Sequence, residues 1–213
     1  MVDTFDFGGH VVWNPTQEYV TRSHLTLFMN RYGINSFDAL IERSTTDVEW
    51  FTHSVLEYLD IRFQKPYSQV VDLSSGIQSP KWCVGGKLNI VHSCLDKWEV
   101  SDKTRETVAL IWEGEDGGSR TLTYGELSSD VKRCANALRS LGLGKGDAIG
   151  LHMPMTPEIV VALLAIARIG GVILPLFSGF GVKAITSRLE NADAKCLFTA
   201  DGFLRRGEVV PLK

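Results

Sequence analysis

"AIGLHMPMTPEIVVALLAIARIGGVILPLFSGFG", residues 148–181, decides the fold of this chain. Two short apolar runs, "AIGLHM" and "GVILPL", flank a longer one. Thr156 followed by Pro157 is an N-cap with the favoured first-turn proline, and Gly170 closes the run that starts there. The pattern reads strand, helix, strand, with so little polar face on the helix that it should be buried on most sides. A membrane span over Ile159–Phe177 has the right length. However, Arg168 lies within it, and Gly170, Gly171 and Pro175 would break a continuous helix. A buried helix running into a buried strand is the better reading.

Towards the carboxyl end, "GVKAITSRLENAD" predicts an amphipathic helix on Val182, Ile185 and Leu189, and "AKCLFTA" a further short strand. On the other side, "TVALIWEG" and "SRTLTY" are β-rich runs joined by "EDGG", a turn with the glycines a hairpin needs. Thr123 stands three before Glu126 as a capping box, and Leu127, Val131, Ala135, Leu138 and Leu141 make one stripe on a helix ending at Gly142. Short strands separated by helices imply βαβ units, hence an α/β fold with a largely parallel sheet and helices on both faces.

Residues 1–105 differ and are expected to form an amino-terminal helical and extended segment ahead of an α/β part, 106–213. "TQEYVTRSHLTLFMNRYG", "FDALIERS" and "DVEWFTHSVLEYL" space their apolar residues by three and four, as short amphipathic helices do. "QKPYSQVVDLSSGIQSPKWCVGGKLN" reads as loop from its Pro, Ser and Gly, packed down by Trp82, Val84 and Leu88.

With 22 Lys plus Arg against 25 Asp plus Glu, the net charge is -3, and no stretch is basic enough to follow a nucleic acid backbone. Cys83, Cys94, Cys134 and Cys196 have no CxxC spacing, which argues for reduced thiols in a cytoplasmic protein over a zinc cluster or disulfide scaffold. "MVDTFDFGG" is acidic and lacks the apolar block of a secretory signal.

Ligands of open parallel sheets bind beyond the carboxyl ends of the strands. Three such ends are "HMPMTP", "LFSGFG" and "ADGFLRRGE". The last two hold glycines that let backbone N–H groups approach an anion and arginines that pair with phosphate. Phe177, Ser178, Gly179, Arg205 and Arg206 are therefore the candidate ligand-binding residues. The plainer reading makes Ser178 a helix cap and the arginines solvated surface charges. His10, His24, His53, His92 and His152 are scattered, with no HExxH, GxSxG or GxGxxG in place. "GLGKGD" lacks the spacing of a phosphate loop.

"WCVGGKLNIVHSCLDKW", "VALIWEGEDGGSRTLTYGEL", "ANALRSLGLGKGDAIGLHMPMTPEIVVALLAIARIGGVILPLFSGFG" and "RLENADAKCLFTADGFLRRGEVVPLK" closely resemble the amino-terminal part of AMP-forming acetyl-CoA synthetases and related acyl-CoA synthetases. The resemblance covers about residues 45–213. It implies activation of a small carboxylic acid with ATP and Mg2+ to an acyl-adenylate, then transfer to coenzyme A. It further implies that Gly179 and Arg205, with Phe177, Ser178 and Arg206 adjoining, hold the nucleotide end of coenzyme A. Some relatives carry a second base where this sequence has Glu208. An acid there repels phosphate, so its side chain either points elsewhere or weakens the hold on coenzyme A. The family's phosphate loop, ribose-binding aspartate and catalytic lysine fall in no part of these 213 residues. The chain thus reads as an amino-terminal fragment, inactive alone, whose open sheet edge could pair in a homodimer. The rival reading is a stand-alone module binding coenzyme A or a protein partner without catalysis. A dehydrogenase domain would need the missing glycine fingerprint.

Overall fold

The computed structural model describes residues 12–212. The acidic start, His10 and Lys213 lie outside them. The chain divides into two compact units: one runs up to Asp60 and includes Gln69–Val84, and the other takes Ile61–Ser68 and everything from Gly85 onward.

The first unit holds helices α1 (Gln17–Arg22), α2 (His24–Arg31), α3 (Phe37–Thr46) and α4 (Val48–Tyr58). Side chains of Thr16, Ser23, Ser36 and Asp47 each accept a first-turn N–H, so every one of the four starts on a capping residue. Phe28, Ile34 and Leu40 form its small core, ringed by Tyr32, Trp50, Phe51 and Tyr58. The segment expected to be loop contains an antiparallel pair, β1 (Gln69–Asp72) and β2 (Lys81–Val84). Val71 is its buried anchor, while Trp82 is 49% exposed. Four-residue strands are too short for their alternation to outweigh the surrounding Pro, Ser and Gly.

The second unit opens with α5 (Ile90–Cys94), a 3-10 turn (Asp96–Glu99) and α6 (Asp102–Arg105). The hairpin of β3 (Val108–Glu113) and β4 (Ser119–Thr123) follows, then α7 (Tyr124–Ser140), β5 (Ala148–His152), α8 (Pro157–Ile169), β6 (Val172–Pro175), α9 (Val182–Asn191) and β7 (Cys196–Thr199). A last hairpin pairs β8 (Gly202–Arg205) with β9 (Glu208–Pro211). The fold is α/β, with β6, β5 and β7 parallel in that order and β5 in the centre.

Helices cover both faces of this sheet. Ile149 and Leu151 share one core with Leu127, Val131, Ala135 and Leu138 of α7 and with Ala162, Ala165 and Ile166 of α8. Each fully buried Val, Leu or Ile side chain there contributes about 1.5–3 kcal/mol. On the opposite face a Cβ at Gly150 would meet Leu197 and Leu189, so α9 packs there and the central strand carries a glycine to let it approach. Two expected core residues stand out in solvent. Leu141 is the C-cap of α7, and Val182, at the first position of α9, is 80% exposed. Helix α8 is 13 residues long and shows Leu163 to solvent, so it is less enclosed than its composition suggests. Among the described residues no helix is long and apolar enough to cross a membrane.

The amino ends of the strands are tied down by polar contacts. The Asn89 amide donates to the carbonyls of Ala167 (2.8 Å) and Arg168 (3.3 Å), capping the end of α8. Asp96 accepts from Arg168 at 2.8 Å and lies 2.7 Å from His92.

Candidate functional site

The three strand ends singled out in the sequence meet at one cleft of about 490 Å³. Strand β5 delivers Pro154–Thr156, β6 delivers Phe177 and Ser178, and the chain beyond β7 delivers Gly202–Arg205. The tip of the β3–β4 hairpin completes the wall with Trp112 to Asp116.

Each wall element is held by an identifiable contact. The Trp112 indole N–H donates to the Met155 carbonyl at 2.7 Å, pinning β3 to the loop after β5. Arg120 of β4 reaches Glu158 in the first turn of α8 at 2.7 Å. Burial opposes ionisation of Glu158, but hydrogen bonds from Thr156 and Arg120 outweigh it and hold the carboxyl below its ordinary value. Phe177 and Phe180 meet edge to face at 5.6 Å, and the Arg188 guanidinium lies 4.3 Å over the Phe180 ring.

The candidate residues fare differently. Phe177, Ser178 and Arg205 line the cleft. The helix behind Ser178 is capped at Gly181, so Ser178 is not its N-cap. Gly179 supplies no wall, but a Cβ on it would fall 2.5 Å from the Phe177 ring, so the glycine leaves room for that exposed ring where it lies. Arg206 does not line the cleft; it forms the two-residue turn of the β8–β9 hairpin with Gly207, both with positive φ (53° and 80°). The "ADGFLRRGE" stretch, read as a strand end, thus contains a primed hairpin turn, hidden in the sequence because arginine replaces the usual Asn of an Asn-Gly pair. The Arg206 N–H donates to the Glu115 carboxylate, joining the two hairpin tips.

Sequence reasoning missed Trp112, Glu113, Glu115, Asp116 and Phe203. The signal for Glu115 and Asp116 was the "EDGG" turn, and for Trp112 and Glu113 the strand end "WEG" before it, read only as parts of a hairpin, because the meeting with a second hairpin some ninety residues later is a tertiary fact. Glu208 is paired with Arg205 across the turn, so both side chains leave the hairpin on the same face. The floor of Trp112, Met155, Phe177 and Phe203 suits a flat heteroaromatic ring, and Arg205 suits an anion. Three carboxylates on the same wall oppose one.

Residues 37–94 match the family model for the acetyl-coenzyme A synthetase N-terminus, and residues 97–211 that of the AMP-binding enzymes. The chain is similar to the acetyl-coenzyme A synthetase of Thiobacillus denitrificans, 39% identical over 204 residues, covering 95% of this chain and 29% of the relative. The 3-hydroxypropionyl-coenzyme A synthetase of Sulfurisphaera tokodaii is 37% identical over 182 residues, covering 85% and 27%. In three dimensions it resembles the acetoacetyl-CoA synthetase from Streptomyces lividans with a TM-score of 0.86 at 27% identity, covering 95% of this chain and 32% of that one. The chain therefore spans under a third of the length of these relatives. Since one family model covers more than half of it, including the parallel sheet and every wall of the cleft, the chain belongs to the AMP-binding enzyme family.

Proposed function

We propose that this chain is the amino-terminal part of an AMP-forming acyl-CoA synthetase, an acid–thiol ligase that uses ATP, Mg2+ and coenzyme A on a small carboxylic acid. Residues 1–105 are the leading helical and extended segment, and residues 106–213 the first α/β subdomain. The observation that carries this reading is the convergence of the Phe177–Ser178 loop and the Arg205 hairpin on one cleft beyond the carboxyl ends of a parallel sheet.

Coenzyme A supplies the thiol that receives the acyl group. The chain's own task is to hold its nucleotide end: Arg205 faces negative charge, Phe177 and Trp112 offer ring faces to the base, and the Ser178 hydroxyl offers a donor and an acceptor. Gly179 acts through Phe177, and Arg206 through the turn that presents Arg205. The four cysteines are unpaired, which suits a cytoplasmic setting.

None of these residues addresses the phosphates of ATP, so binding and adenylation are expected to separate. The 213-residue chain should bind coenzyme A in titration calorimetry, and Arg205→Ala should weaken that binding about tenfold, the worth of one charge-assisted contact. The same preparation should show no acid-dependent exchange of pyrophosphate into ATP. Exchange by residues 1–213 would refute this division of labour, and a chain that binds coenzyme A with no exchange in any longer form would favour a non-catalytic module.

A further inference from the structure

We infer that the cleft gains nothing from the terminal phosphate of coenzyme A, so that dephospho-coenzyme A, which ends in an unphosphorylated adenosine, binds it at least as tightly. This rests on the reading of the cleft as a coenzyme A site. Glu113, Glu115 and Asp116 stand on the wall against a single guanidinium, Arg205. The hairpin register sets Glu208 directly opposite Arg205, where cross-strand Cβ atoms are about 5 Å apart. Glu208 is exposed and free to pair with it.

The other device by which a hairpin holds a phosphate is the ring of N–H groups at a turn with positive φ. Here the Glu115 carboxylate already takes the N–H of Arg206. The turn N–H is therefore already answered by an acid of the chain, and the guanidinium has Glu208 opposite it across the hairpin. A phosphomonoester brings about 1.5–2 negative charges at neutral pH. It would arrive within the screening length, about 8 Å at physiological salt, of the cleft's carboxylates. The uncharged base and ribose meet the aromatic floor with no such opposition.

The test is calorimetric titration of the 213-residue chain with coenzyme A and with dephospho-coenzyme A at physiological salt, on the parent and on Glu208→Gln and Glu115→Gln. Dephospho-coenzyme A is expected to bind at least as tightly as coenzyme A. Each substitution should raise the affinity for coenzyme A about two- to fivefold, the range for exposed charges, and change that for the dephospho form less. Coenzyme A binding the parent more tightly than the dephospho form overturns the inference and leaves the cleft reading intact. If neither compound binds, or if Arg205→Ala alters neither, the cleft reading fails and the inference falls with it.

Discussion

Arg206 holds a backbone conformation that an L-residue with a long side chain seldom adopts, with φ at 53°. The left-handed region costs such a residue about 1 kcal/mol relative to its usual conformations, and Asn followed by Gly is the pair that suits a primed turn. Arg206→Asn is expected to stabilise the chain by about 0.5–1 kcal/mol in a denaturant melt. The same variant should leave coenzyme A titration unchanged, because the turn and its N–H to Glu115 are kept and the cleft wall includes Arg205 and not Arg206. A fall in affinity with no gain in stability would assign the Arg206 side chain a ligand contact of its own.

The helices of the second unit depend on identifiable end groups. In α7 the Thr123 hydroxyl accepts the Glu126 N–H at 3.2 Å while the Glu126 carboxylate accepts the Thr123 N–H at 2.8 Å. Thr123→Ala should cost about 1 kcal/mol in a thermal or urea melt. Further along α7, the Lys132 ammonium lies 2.6 Å from Glu99 in the 3-10 turn. Burial opposes ionisation of Glu99, but Lys132 outweighs it and the carboxyl sits below its ordinary value. Its stabilisation is therefore complete above the ordinary glutamate value near 4.3 and is lost as the pH falls through the lower, folded one. Lys132→Met should be less stable than the parent by about 0.5–1 kcal/mol at pH 7, with the gap narrowing in urea melts as the pH is taken below the ordinary glutamate value. These elements were legible because capping residues, proline and glycine punctuate them locally. The pairs β1–β2 and β8–β9 were not, since four-residue strands leave little alternation and Arg206–Gly207 lacks the usual turn composition. The acids of the cleft wall were invisible for another reason: nothing near residue 115 in the sequence shows that it will meet residue 206.

Across the whole molecule, the parallel sheet is small for what it must shield. Among the described residues β6 and β7 each pair only with β5, so both outer strands carry backbone groups on one side without a strand partner. Such edges recruit other strands. We expect the 213-residue chain to associate with itself through an edge, as a dimer in sedimentation equilibrium that weakens when Leu197, on β7, is replaced by Lys. A monomer at all concentrations would mean that the edges are protected without a partner strand.

The pin between Trp112 and Met155 also makes the cleft observable by light. An indole whose N–H is committed to a backbone carbonyl keeps its orientation, so its emission changes chiefly when its ring face gains or loses a neighbour. Trp13, Trp50 and Trp82 belong to the other unit, and Trp98 is stacked on Tyr124 at 5.4 Å. The chain therefore carries its own optical gauge of occupancy, and a ligand entering the cleft can be followed in real time without a label.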